Sequence, residues 1–145
     1  MKKGKKMERY KVILVDDEAE VIDMIEKKIH WNDLGFEVAG SATNGVKALE
    51  LVEKLQPDVV LTDIKMPYMD GLELSRRLNR EYPNIYIMLC TGFDEFEYAK
   101  EAVHLEIKEY MLKPVNATEL SESLTNLKHT LDRDCLLYTS DAADE

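Results

Sequence analysis

Two kinds of apolar block follow one another along this chain. Short unbroken runs are separated by longer stretches in which apolar residues recur every three or four positions. The unbroken runs are Val12-Ile13-Leu14-Val15, Val59-Val60-Leu61, residues 85–90 and Tyr110-Met111-Leu112. A continuous apolar run suits a strand covered on both faces, so these predict central strands of a parallel sheet. Phe36-Glu37-Val38-Ala39-Gly40 alternates instead, and predicts a short strand at a sheet edge.

The longer stretches predict helices. Over 20–30, Val21, Ile22, Ile25 and Ile29 share one face. Asn44 serves as a cap for a helix with Val46, Leu49, Val52 and Leu55 inward, stopped before Pro57. A helix over 72–81 ends before Pro83, and one over 96–105 carries Phe96, Ala99 and Val103 on a stripe. Thr118 opens the last helix, in which Leu120, Leu124, Leu127 and Leu131 keep to one face. Leu34-Gly35 and the stretch 66–71 read as turns.

Five strands alternating with helices through short links predict an α/β fold: a doubly wound, five-stranded parallel sheet with right-handed crossovers. The expected strand order is 2-1-3-4-5, with the first and third strands side by side. Ligands in such sheets sit outside the carboxyl ends of the strands, at the point where the order reverses. Asp16 and Asp17 follow the first strand and Asp63 follows the third. Thr91 follows the fourth and Lys113 the fifth.

Composition narrows the function. A chain of 145 residues, 45% hydrophobic and 33% charged, holds one domain with a full core. A net charge of −10 argues against a nucleic-acid surface on this domain. No apolar run approaches a membrane span, and the basic start (residues 1–8) lacks the apolar segment of a secretory signal, so it is expected to be a disordered leader. Cys90 and Cys135 make neither a disulfide framework nor a metal-spaced set, which suits a reducing cytoplasm. His30, His104 and His129 lie far apart and read as surface or boundary residues.

Taken singly, the strand-end residues have ordinary explanations. Adjacent acids after a strand are commonly a solvated turn or a helix cap, and Lys-Pro commonly marks a chain turn. Their joint placement changes the reading. Three carboxylates drawn together repel, so either one takes up a proton or a cation neutralises them. Hard oxygen donors suit Mg²⁺, which uses one or two carboxylates plus phosphate oxygens. Asp63, ending the central strand, is the candidate nucleophile for a phosphoryl group. The Lys113 ammonium and the Thr91 hydroxyl would meet the phosphoryl oxygens.

The motifs Val15-Asp16-Asp17-Glu18, Thr62-Asp63-Ile64-Lys65-Met66-Pro67, Met69-Asp70-Gly71, Thr91-Gly92 and Lys113-Pro114 resemble those of the receiver (phosphoacceptor) domain of two-component response regulators. The resemblance covers residues 9–131 and implies a flavodoxin-like receiver fold. It implies that Asp63 takes phosphate from a phosphohistidine on a sensor histidine kinase. It implies Mg²⁺ on Asp16, Asp17 and Asp63 with the backbone carbonyl of Lys65, and a switch pair of Thr91 and Tyr110. The Lys113–Pro114 bond would be cis. Signalling, rather than enzymatic turnover, is the implied role. Dimerisation is expected on the face built from the helix over 96–105, the strand at 109–112 and the last helix.

Ile29-His30-Trp31, Leu34-Gly35 and the run from Gly92 to Ala99 resemble receivers that carry an AraC-type helix-turn-helix output domain. DNA contact would then come only through an output domain absent from this chain. Trp31 itself reads as a packing residue. Glu106 stands where similar receivers have Gly, which puts the end of the preceding helix in question. Residues 135–145 resemble the conceptual translation of a sequencing adaptor, so 132–145 is expected to be a truncated linker followed by non-native sequence. Two rival readings are a stand-alone receiver acting by protein contacts and an aspartate-nucleophile phosphatase. The latter typically needs a second acid two residues past the nucleophile, where Lys65 stands.

Overall fold

The computed structural model describes residues 9–92, 109–112 and 115–144. The strands are β1 (Tyr10–Val15), β2 (Phe36–Ala42), β3 (Val59–Asp63), β4 (Tyr86–Thr91) and β5 (Glu109–Leu112). The helices are α1 (Ala19–Lys28), the single turn α2 (Trp31–Leu34), α3 (Gly45–Leu55), α4 (Gly71–Glu81) and α5 (Ala117–Asp144). All strand pairs are parallel, and the order is β2-β1-β3-β4-β5, as the strand–helix alternation predicts. The helix expected over 96–105 and Glu106 lie outside the described residues.

Successive residues of the apolar runs feed opposite faces of the sheet, so each run builds two cores. Val12, Leu14, Val59, Leu61, Met88 and Cys90 point to one side, where α1 and α5 supply Ile22, Ile25, Leu120, Leu124 and Leu127. Ile13, Val15, Val60 and Ile87 point to the other, against Ala48 and Val52 of α3 and Leu74 and Leu78 of α4. Cys90 is a buried thiol packed as a small hydrophobe.

The edge strand β2 is longer than its alternation suggests. Its pairing with β1 slips between Val12 and Ile13, so that Val12 faces Val38 while Ile13 faces Gly40. Ala39 is the extra residue of this bulge. Phe36 and Ala42 are both even-numbered, yet they enter opposite cores because the bulge lies between them. The simple period of two ends at the bulge, which is why the pattern stops short of Ala42.

Two local expectations need correction. Val46 is 45% exposed, not inward, and Gly45, Ala48 and Val52 make the buried line of α3. Asn116, not Thr118, opens α5: its side chain accepts the Glu119 N–H at 3.0 Å and its carbonyl accepts the Leu120 N–H. α5 also runs on as helix beyond Leu131, where the apolar stripe ends, because no Gly or Pro interrupts 115–144. Asn44 caps α3 as expected, accepting the Lys47 N–H at 2.9 Å.

Trp31 is buried, with its indole N–H donating to the Glu26 carbonyl at 3.2 Å. The single turn it opens closes on Gly35 at φ 93, a left-handed position that glycine occupies without strain. Among the described residues no helix is long and apolar enough to cross a membrane.

Candidate functional site

The first strand ends where the sheet order reverses, and Asp16 is the first residue beyond it. Its backbone N–H donates to the Ala42 carbonyl at 3.1 Å, which prolongs the β1–β2 pairing by one residue. Its side chain accepts the Glu18 N–H at 2.9 Å and so turns the chain into α1. Asp16 is therefore held from both ends and is 5% exposed, while Asp17 beside it is exposed.

Asp63 is the last residue of β3 and is also 5% exposed. Its Oδ1 accepts the Ile64 N–H at 2.8 Å. The loop that follows folds back at once: the Gly71 N–H donates to the Ile64 carbonyl at 2.7 Å. A Cβ at Gly71 would lie 2.1 Å from the Asp63 carbonyl oxygen. Only glycine allows α4 to start this close beneath the acid. Asp70 caps that helix by accepting the Glu73 N–H at 2.8 Å.

Carboxylate oxygens of Asp16, Asp17 and Asp63 lie within 4.8 Å of one another. The sequence places these acids on two separate strand ends, and the strand order brings them together. Two are buried and one is exposed, so the cluster opens to solvent on one side. Such a set of hard oxygen donors fits a divalent cation, whose charge would offset the mutual repulsion. Lys65 is exposed in the loop two residues past Asp63.

A small pocket beneath the acids is walled by Asp16, Asp63, Thr62, Ile22, Cys90 and Val115. Thr91 ends β4, is fully buried, and donates from Oγ1 to the Gly92 carbonyl at 3.1 Å. Tyr110 on β5 is half-buried against Ile64, Leu72 and Leu89, and this burial raises its phenol above the ordinary tyrosine range. Lys113, Pro114 and the bond between them lie outside the described residues, as does Phe93. Leu112 ends β5, and Val115 stands in the pocket wall.

The family described as the response regulator receiver domain matches residues 12–125. The chain belongs to this family. The chain is 42% identical over 124 residues to the transcriptional regulatory protein YesN of Bacillus subtilis, covering 86% of this chain and 34% of YesN. It is 34% identical over 122 residues to the transcriptional regulatory protein HptR of Staphylococcus aureus, covering 84% of this chain and 48% of HptR. The chain thus spans about a third to a half of the curated relatives it matches.

Among solved structures, the receiver domain of AraT, a response regulator from Geobacillus stearothermophilus, aligns with a TM-score of 0.83 at 38% identity. That alignment covers 86% of this chain and 97% of the AraT domain. A two-component transcriptional regulator AraC from Clostridium phytofermentans aligns at 0.79 with 31% identity, covering 86% of this chain and 96% of that one. The resemblance to regulators of AraC type thus agrees with the relatives found. The fold of this chain is the receiver fold, and its role is that of a signalling receiver domain.

Gly71 is the functional residue that sequence patterning undervalued. It reads as part of a turn, whereas in the structure it sets how closely α4 approaches Asp63. A glycine at the first position of a helix, directly after an aspartate cap, is the signal that points to it. Val115 carries no sequence signal, because its place in the pocket wall depends on how the chain turns after β5.

Proposed function

We propose that Asp63 accepts a phosphoryl group from a phosphohistidine on a sensor histidine kinase, and that the change at Asp63 resets a signalling face of the domain. The observation that carries this reading is the cluster of three carboxylates within 4.8 Å at the carboxyl ends of β1 and β3. Mg²⁺ would be held by Asp16, Asp17 and Asp63 with the Lys65 carbonyl, and when bound would supply charge neutralisation for the incoming phosphoryl oxygens.

In the transfer, an Asp63 carboxylate oxygen attacks phosphorus. The P–N bond to the donor imidazole breaks, the electron pair stays on that nitrogen, and an acyl phosphate results. Burial of Asp63 and the Ile64 N–H on its Oδ1 fix the attacking group in orientation. Lys113 is proposed to balance phosphoryl charge, and Thr91 to turn its hydroxyl from the Gly92 carbonyl toward the phosphoryl group. Tyr110 would follow by packing deeper beside Leu89, and this pair forms the two-state element.

We assign residues 9–131 to the receiver unit, 1–8 to a leader and 132–145 to a cut linker with a non-native tail. The matched region makes up 34% of YesN and 48% of HptR, both named as transcriptional regulators, which supports an output domain in the complete protein and control of transcription through it. Dimerisation is proposed on the face that includes β5 and α5, in the cytoplasm. Lys65 rather than an acid stands two residues past Asp63, which disfavours a phosphatase.

The test is intact mass after incubation with Mg²⁺ and a small acyl-phosphate donor. The expected result is one added phosphoryl group in the wild type and none in Asp63→Asn. No addition to a folded, Mg²⁺-binding wild type would overturn the reading.

A further inference from the structure

Thr62 breaks the apolar run that leads to the acceptor. In β3 it follows Val59, Val60 and Leu61 and precedes Asp63, and it is 1% exposed. Valine has the same branched shape and suits a strand equally well. A hydroxyl buried in its place costs free energy unless it is hydrogen-bonded. Packing therefore does not ask for threonine here. What the hydroxyl adds is a bond: Oγ1 donates to the Asp63 carbonyl at 2.8 Å.

That carbonyl belongs to the peptide unit that joins Asp63 to Ile64. The N–H of the same unit donates to Asp63 Oδ1 at 2.8 Å. The two bonds thus sit at opposite ends of one amide, and both are buried. Linked hydrogen bonds polarise one another, so a donor on the amide oxygen makes the amide N–H a stronger donor in turn. The chain of bonds runs from the Thr62 hydroxyl, through the peptide, to the acceptor carboxylate.

The surroundings enclose this amide. A Cβ at Gly71 would lie 2.1 Å from the Asp63 carbonyl oxygen and 2.9 Å from the Ile64 Cα, so the start of α4 closes over the same peptide. The buried Ser75 hydroxyl donates to the Gly71 carbonyl at 2.7 Å and ties that start to the next turn of the helix. Little room is left for a water to replace the Thr62 hydroxyl.

We infer that Thr62 is a positioning residue for phosphoryl transfer. Its hydroxyl, acting through the Asp63–Ile64 peptide, strengthens the bond on Asp63 Oδ1 and fixes the carboxylate in the orientation from which it attacks phosphorus. The inference rests on the phosphoacceptor reading of Asp63 and adds no chemical step to it. The torsion that turns a carboxylate is broad, so its orientation comes from the groups that bind its oxygens. A reacting group held in orientation reacts faster.

The test measures phosphorylation of the full chain by a small acyl phosphate at saturating Mg²⁺. Thr62→Val removes the hydroxyl and keeps the shape, and it is expected to react roughly fivefold more slowly, the size of one net hydrogen bond. Its Ile64 amide proton, observed by NMR without donor, should move upfield as the bond to Oδ1 weakens. Thr62→Ser keeps the hydroxyl and should restore both the rate and the resonance. Ile29→Val trims a buried side chain at the far end of α1. It should lower the melting temperature and leave rate and resonance unchanged, which separates positioning from lost stability. Should Thr62→Val not fold, Thr62→Ala carries the same comparison.

A wild-type rate in Thr62→Val, an unmoved Ile64 resonance, or a slow rate shared by Thr62→Ser would overturn the inference and leave the phosphoacceptor reading intact. Equal slowing in Ile29→Val would assign the effect to stability and overturn it as well. Failure of the acyl phosphate to modify wild-type Asp63 would instead sink the reading beneath it.

Discussion

Aspartates at the two ends of the sheet live in opposite circumstances. At the amino end, three aspartates accept hydrogen bonds from strand starts far along the chain. Asp58 accepts the Lys11 N–H at 2.8 Å. Asp132 accepts the Tyr10 hydroxyl at 2.6 Å and the Lys128 ammonium at 2.7 Å. Asp134 accepts the Tyr86 hydroxyl. At the carboxyl end, Asp16 and Asp63 accept backbone N–H groups from their own loops and lie, with Asp17, within 4.8 Å of one another. One residue type thus joins elements at one end and gathers repulsive charge at the other. Carboxylates gathered in this way fit a divalent cation, whose charge would offset their mutual repulsion.

The comparison can be broken most forcefully at Gly71. Gly71→Ala would drive a methyl group into the Asp63 carbonyl. The expected loss is about 3 kcal/mol in urea denaturation. Phosphorylation should fall with it, while the Tyr10 and Tyr86 contacts at the other end stay intact by NMR.

Amide substitutions should then give opposite signs at the two ends. Without divalent cation, Asp16→Asn is expected to stabilise by about 1 kcal/mol through relief of repulsion, whereas Asp58→Asn should destabilise by a similar amount. Thermal melts check both. Adding Mg²⁺ should raise the wild-type midpoint and have a much smaller effect on Asp16→Asn. A Mg²⁺ effect of equal size in both proteins would remove the distinction between the two ends.

Acid should loosen the amino end through Asp132. Burial opposes its ionisation, but the Lys128 ammonium and the Tyr10 hydroxyl outweigh this and hold its carboxyl below the ordinary value. A lowered folded pKa adds stability that is present above the unfolded value, near 4, and is lost as pH falls through the folded one. Asp132→Asn should flatten that part of the acid limb in pH-dependent melts. Tyr10→Phe should cost about 0.5 kcal/mol at neutral pH.

The smallest effect is expected at high pH. Burial first, and then the Asp134 carboxylate, push the Tyr86 phenol up to about 12. Stability from this group is present below the unfolded value, near 10, and is lost as pH rises through about 12. Ultraviolet titration of the wild type should show a late-ionising tyrosine component that shrinks in Tyr86→Phe, the part that stays belonging to Tyr110.

Most of the site was legible because it rests on strand ends. A continuous apolar run announces a doubly covered strand, and the residue after it must stand at the sheet's edge. That logic reached Asp16, Asp17, Asp63 and Thr91 directly. It missed what depends on contact between segments far apart in sequence. The exposure of Val46 follows from the seating of α3 on Met69, which periodicity does not encode. The partners of Tyr10 and Tyr86 lie 122 and 48 positions away on α5. Asn116 and Thr118 are both residue types that suit a helix start, and only the hydrogen bonds decide between them.

The slipped rung between β1 and β2 also bears on how molecules of this protein behave when crowded together. β2 is an edge of the sheet, and an edge strand offers unpaired backbone groups to any neighbouring chain. The extra residue at Ala39 breaks the even spacing of those groups and increases the local twist. A second sheet laid alongside cannot match it rung for rung. The irregularity that sends Phe36 and Ala42 into different cores thereby guards the sheet against growing sideways into fibres.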